Sequence, residues 1–236
     1  MEEFAGVTSL ATDTLAGHKS FNAYNINYVF PLYLYPQREG DMFEGAERAS
    51  NLKPELMQVF AEQCGLRFCN GVVDPDTEFG PVDVFDYIYA VLHSTSYLDT
   101  FAEFLRINFP RIPYPRGGEQ FRRIAALGSE MRAVHFLRHP NVQLVTTRFP
   151  VPGRAVVQRP RFSEGRVLIN ETQYFDGVSE SAWSFPVGGF QPAQKWLKDR
   201  EGRALTLDEL RHWQKIVAAI GETERVVREI NETIGL

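Results

Sequence analysis

The chain has little cysteine, no long apolar run and, between residues 106 and 166, no lysine at all. Each shortage excludes something. Two cysteines, Cys64 and Cys69, make neither a disulfide framework nor a zinc pattern, and free cysteine is commonly a buried apolar residue. No window approaches eighteen consecutive apolar residues, so no membrane span is expected. The start, MEEFAGVTSL, lacks the basic residues and apolar run of a secretory signal, so a cytoplasmic location is expected. The 236 residues are nonetheless 44% hydrophobic, with 18 Phe, 9 Tyr and 3 Trp, which is the composition of a chain with a real core.

The missing lysine matters because the same stretch is basic. The net charge of −5 averages two opposed blocks. From Arg38 to Glu103 there are 4 bases against 13 acids, a net of −9; from Arg106 to Arg166 there are 12 bases against 3 acids, a net of +9. All twelve of those bases are arginine. Solubility is served equally well by lysine, whereas the planar guanidinium fork fits phosphate and the guanine edge. The competing explanation is that these arginines pair with the acidic block inside one fold.

Periodicity outlines an α+β chain: a helical N-terminal part, a small twisted sheet from about residue 141, and a long C-terminal helix. Residues 1–20 read as a loose lead-in, and 21–236 as one domain with a subdivision near 140. The aromatic segment NYVFPLYLYP (27–36) reads as extended, and 37–53 as a charged loop. Pro54 starts a helix carrying Leu56, Val59 and Phe60 on one face. A helical pair follows. Asp83 caps the first member, with Val84, Ile88 and Leu92 as its stripe beside Phe85 and Tyr89. Ser94 or Ser96 caps the second. The stretch RINFPRIPYPR (106–116) then runs extended, because its X-Pro steps disfavour helix at Phe109, Ile112 and Tyr114, the expected anchors. A further helix spans roughly 118–138 through Phe121, Ile124, Leu127, Met131 and Val134. The runs VQLVTTRF, AVVQRPRF and RVLINETQYF read as short strands. Thr206 and Glu209 form a capping box ahead of Leu210, Trp213, Val217, Ile220 and Val227.

No catalytic constellation is legible. The five histidines make no metal motif; His135 and His139 are four apart, but no third ligand is evident. There is no G-x-S-x-G elbow, phosphate loop, dinucleotide fingerprint or Asn-Pro-Pro-aromatic segment. VGGFQP (187–192) reads as a tight turn. In KWLKDREGRALT (195–206) the bases Lys195, Lys198, Arg200 and Arg203 surround a turn. They either touch phosphate or are offset by their own Asp and Glu neighbours.

Three segments carry a resemblance. DVFDYIYAVLHSTSYLDTFAEFLRINFPRIPYP, FPVGGFQPAQKWLKDREGRALTLDELRHWQKIVAAIGET and NINYVFPLYLYP resemble stretches of the C-terminal target-recognition region of Type ISP restriction–modification enzymes and related single-chain restriction–methylation proteins, in family order. The resemblance implies a double-stranded DNA partner, and methyltransferase and translocase domains in cis or on a separate chain. Activity is not carried over, so S-adenosylmethionine, ATP and Mg are expected only for those other domains, and this chain is expected to hold no catalytic or metal site. The shared segments read as scaffold, because DNA targets vary while they do not.

With that partner, charge and placement nominate Arg148, Arg154, Arg159, Arg161 and Arg166 as base readers, with Gln158 and Asn170 for adenine. Arg111, Arg116, Lys195, Lys198, Arg200 and Arg203 are the phosphate candidates. The alternative is a module that docks on a methyltransferase or translocase without reading DNA, for which the aromatic residues 21–35 would be the dry interface.

Overall fold

A computed structural model describes residues 9–13, 28–35 and 48–236. The lead-in before residue 9, residues 14–27 and most of the charged loop lie outside the described residues.

Two short strands, β1 (Tyr33–Leu34) and β2 (Ala49–Ser50), pair antiparallel ahead of α1 (Pro54–Cys64). Pro54 does start that helix, but its buried face is Met57, Phe60 and Cys64, while Leu56 and Val59 are exposed. Gly65, at φ 64°, ends it in the left-handed turn that glycine adopts most readily. A parallel pair, β3 (Arg67–Phe68) and β4 (Glu78–Phe79), leads into α2 (Pro81–His93). Here Asp83 acts from inside the first turn. Gly80 is the N-cap, Pro81 supplies the first helical φ, and the Gly80 N–H donates to Asp83 Oδ2 at 2.7 Å. Of the expected set Val84 and Tyr89 are buried, and Ile88, Leu92 and Phe85 pack partly buried against the same core; Tyr87, Ala90 and Val91 are buried as well, because α2 is flanked by helices on more than one side.

Ser94 caps the next helix by accepting from the Tyr97 N–H at 3.1 Å. That helix breaks at Phe101 into α3 (Thr95–Thr100) and α4 (Ala102–Leu105). The proline segment that follows is extended. Two tyrosines hold it: Tyr97 Oη donates to the Arg111 carbonyl at 3.0 Å and Tyr87 Oη to the Pro113 carbonyl at 2.9 Å. Pro115 is buried beneath, whereas the expected anchor Phe109 is 60% exposed.

Helix α5 (Gly118–His135) buries all five residues expected of it. Gly128 sits where α5 crosses α2: a Cβ there would lie 1.8 Å from the Asp86 carbonyl oxygen, so only glycine permits this approach. Residues 141–148 do not form the expected strand. Pro140 at the first helical position and His139 as cap make a short α6 (Pro140–Gln143), and Arg148 contributes a single bridge to Asp176.

The sheet is a three-stranded meander, β5 (Arg161–Ser163), β6 (Arg166–Leu168) and β7 (Tyr174–Asp176). Its register aligns Phe162, Val167 and Phe175 in one inward row, so Arg161, Arg166, Tyr174 and Asp176 fall on the opposite face. Helices α7 (Glu180–Ser184) and α8 (Pro192–Lys198) flank it, joined by the 187–190 hairpin, whose Gly188 and Gly189 both have positive φ. The capping box forms as expected and opens α9 (Leu207–Ile234).

Among the described residues two large apolar clusters result, with a small third of Val134, Val142 and Ala219. One joins α1, α2 and α5; the other lies between the sheet, α7 and α8. Helix α9 belongs to both, giving Trp213, Val217 and Ile220 to the sheet side and Val226, Ile230 and Ile234 to the helical side. No described helix is long and apolar enough to cross a membrane.

Candidate nucleic-acid interface

The fold divides the arginine block into two chemical populations. In the helical half almost every guanidinium is engaged. Arg132 makes a bidentate pair with buried Asp86 at 2.7 and 2.8 Å, and Arg123 reaches Glu229 at 2.7 Å. Arg138 pairs with Asp13 at 2.6 Å and Arg106 with Glu103 at 3.1 Å, while Arg122 donates to the Pro75 and Asp76 carbonyls. Two phosphate candidates lie here. Arg116 donates to the Gly235 carbonyl at 2.9 Å, closing the end of α9, and the Arg111 guanidinium stacks 5.0 Å above the Phe104 ring.

The sheet half is different. Arg148 and Arg166 converge on one acid, donating to Asp176 Oδ2 at 2.8 Å and Oδ1 at 3.2 Å; the Arg166 guanidinium also lies 4.7 Å over Tyr174. The two guanidinia, Arg148 first, hold the Asp176 carboxyl below the usual carboxylate range. Arg154, Arg159 and Arg161 are exposed, and none of their side chains has an acidic or hydrogen-bonding partner among the described residues. Arg159 also carries φ 50°, and a non-glycine residue stays in that region only where its surroundings hold it. Its N–H donates to Glu201 Oε1 at 2.8 Å, which fixes the backbone and leaves the guanidinium free.

Of these three, Arg154 lines an open cleft of about 210 Å³. One wall is Arg154, Val156 and Gln158, set between buried Ala155 and Val157; the expected strand does not form here, since Val156 makes a single bridge to Ala204 and Ala155 has φ 52°. The Val157 N–H donates to the Arg203 carbonyl at 3.0 Å and the Leu205 N–H to the Ala155 carbonyl at 3.0 Å, so this wall is pinned to the loop ahead of α9. The other wall is residues 170–173. Asn170 is committed inside that turn. Its Oδ1 accepts from the Thr172 and Gln173 N–H groups at 3.0 and 2.7 Å, and its Nδ2 donates to the Val156 carbonyl at 2.9 Å. The residue nominated to read adenine therefore ties the two walls together.

The basic loop 195–206 is largely self-neutralised. Lys195 pairs with Asp199 at 2.8 Å. Arg200 and Arg203 share Glu209, at 3.4 and 2.6 Å, and Arg200 stacks 3.6 Å over Trp196. The Arg203 guanidinium, then the Thr206 N–H, bring the Glu209 carboxyl down to about 2. Lys198 reaches only Gln194 Oε1, at 3.5 Å.

Histidine 139 meets two ligands that its spacing did not reveal. His139, Glu130 and Glu222 come together where α5, α6 and α9 meet. Arg225 bonds Glu130, Glu222 and Glu229, so a guanidinium already occupies the oxygens a cation would need. Sequence reading also missed Glu171, Thr172 and Gln173 as cleft residues. The local signal was available: Asn170 followed by Thr172 is the pattern of a side-chain-closed turn.

Comparison with known proteins places this architecture. The model of the Type ISP C-terminal specificity domain matches residues 2–229. The chain belongs to that family. It has the fold of part of the ATP-dependent Type ISP restriction-modification enzyme LlaBIII bound to DNA, with TM-score 0.59 and 17% identity over 87% of this chain and 13% of that one. A DrdV-DNA complex is similar, with TM-score 0.60 and 22% identity over 85% of this chain and 21% of that one. The specificity domain thus spans between about an eighth and a fifth of those longer chains. No curated protein is similar enough in sequence to count as a relative.

Proposed function

We propose that this specificity domain recognises a target sequence in double-stranded DNA, directing adenine-N6 methylation, cleavage or both by methyltransferase, translocase and nuclease domains in cis or on a separate chain. S-adenosylmethionine, ATP and Mg act at those domains and not here. The observation that carries the reading is the set Arg154, Arg159 and Arg161, three exposed guanidinia with no acidic partner among the described residues, of which Arg154 lines a cleft together with Gln158. Arginine fits guanine O6/N7 bidentately and glutamine fits adenine N6/N7, so this one surface offers readers for both purines. Lys198 and the exposed faces of Lys195 and Arg203 supply phosphate contacts that position the duplex without reading it.

Docking is favoured by a separate observation and is compatible with recognition. Tyr28 and Phe30 meet Phe109 edge-on at 5.0 and 6.2 Å, yet all three rings remain more than half exposed. An aromatic face left open in this way suits burial against another domain. The two readings separate in one titration. DNA recognition predicts duplex affinity that falls steeply and linearly in log–log form with salt, since each neutralised phosphate contributes a slope of about −0.9. Tight binding to a methyltransferase chain with no measurable duplex affinity at low salt would instead leave docking alone.

A further inference from the structure

The cleft holds one carboxylate, and it is placed where a DNA-binding surface should least tolerate one. Glu171 lies at the exposed tip of the 170–173 turn, opposite Arg154 and Gln158, and its carboxylate has no ion pair or hydrogen bond among the described residues. Facing a phosphate, it would lower affinity for every sequence equally.

The turn that carries it is held from within. Asn170 Oδ1 accepts from Thr172 N–H and Gln173 N–H, and Thr172 Oγ1 lies 3.3 Å from the same oxygen. Buried Gln173 closes the other side. Its Oε1 accepts from the Ala155 N–H at 2.9 Å and from Asn170 Nδ2 at 3.1 Å, and its Nε2 donates to the Val151 carbonyl at 3.1 Å. Gly153 makes room for that amide, since a Cβ there would lie 2.8 Å from Gln173 Nε2. Two amides thus clamp two chain segments, 151–156 and 170–173, and hold Glu171 outward on a short, braced tip. A site held this way loses little conformational freedom on binding.

An acceptor-only group on a basic surface gains from contact with an amino group. In the major groove those donors are cytosine N4 and adenine N6, and carboxylates pair characteristically with cytosine N4. We infer that Glu171 is a specificity-determining residue that accepts a hydrogen bond from the exocyclic amino group of a target base, cytosine before adenine, with Arg154 across the cleft reading a neighbouring guanine. This rests on the DNA-recognition reading above and adds to it one base identity.

Selection of bound duplexes from a random pool, run in parallel on the unaltered chain, Glu171→Ala and Glu171→Gln, tests it. Because Glu171 is exposed and unpaired, both variants keep the melting temperature of the parent. The parent should enrich a motif with one position strongly restricted to a base bearing an amino group, and the enriched base tells cytosine from adenine. Glu171→Ala should relax that position alone, by roughly 5- to 150-fold in discrimination. Glu171→Gln should move a cytosine position towards adenine. An unchanged motif with uniformly tighter binding in Glu171→Ala would overturn the inference while leaving DNA recognition intact. A parent that enriches no motif would overturn the recognition reading, and this inference with it.

Discussion

Arg132 and Arg161 come from the same arginine-only block, 29 positions apart, and differ in character. Arg132 lies between α2 and α5, bidentate to a carboxylate that is 4% exposed, and serves as an internal strut. Arg161 stands on the open face of a three-stranded sheet with its guanidinium free. The helical half uses its cations to tie α2, α5 and α9 to their neighbours. The sheet half pairs two of its arginines with Asp176 and leaves three unpaired among the described residues. Pairing with acids inside the fold therefore accounts for the helical half, while the unpaired cations of the sheet half are the ones on which the DNA-recognition proposal rests.

The largest effect that would break or sharpen this contrast is on stability. Arg132→Ala leaves the buried Asp86 carboxylate uncompensated and should cost about 3–5 kcal/mol in urea unfolding. Arg161→Ala removes an exposed, unpaired group and should stay within about 0.5 kcal/mol. Comparable losses from the two variants would mean that the division into strut and surface is wrong.

A somewhat smaller effect concerns pH. Thr223 donates its hydroxyl to the Ala219 carbonyl at 2.7 Å, so at 3.2 Å it accepts from His135 Nε2, and His135 Nδ1 accepts from Tyr89 Oη at 2.6 Å. Burial, then the neighbouring His93, push His135 down from 6.5 to about 4. Above pH 6.5 the ring is neutral in both the folded and unfolded states. Between 6.5 and about 4 only the unfolded chain takes the proton, so stability falls as pH falls, by about 1.4 kcal/mol per unit and about 3 kcal/mol in all. On the sheet side His212 is also held below 6.5, by partial burial and then by Arg200, so it adds a slope of the same sign there, while Glu209 loses its contribution only below its ordinary 4.5, towards about 2. Unfolding measured from pH 7 to pH 4.5 should show this slope, and His135→Gln should flatten it.

What was legible in the sequence follows the range of each interaction. Helix α5 and the start of α9 were readable because apolar period and capping box are local, and all five expected apolar residues of α5 are buried. The buried face of α2 was read incompletely, missing Tyr87, Ala90 and Val91, because a helix packed on several sides has no single stripe. Residues 141–148 were misread as strand because Val, Thr and Phe favour extension while Pro140 and His139 start a helical turn. The fate of each arginine was not legible. For most of the ion-paired ones the acid is distant in sequence, as Asp86 is from Arg132, Asp13 from Arg138 and Asp176 from Arg148, although Arg106 pairs locally with Glu103. The block's charge could be counted, but the fold decides which of it remains outside. Asn170 shows the converse, since its turn is local and its role could have been read from the residues that follow it.

Removing equal charge from the two halves tests the central claim most directly. Arg159→Gln with Arg161→Gln takes two positive charges from the sheet half, and Arg106→Gln with Arg123→Gln takes two from the helical half. Net charge changes identically, and all four side chains are exposed. Measured against one duplex over a series of salt concentrations, the sheet-half double variant should lose affinity and flatten the log–log salt slope by between about 1 and 2. The helical-half double variant should keep the parent's slope. Equal effects from both would contradict the account, because binding would then follow total charge and not the surface that the fold leaves unpaired.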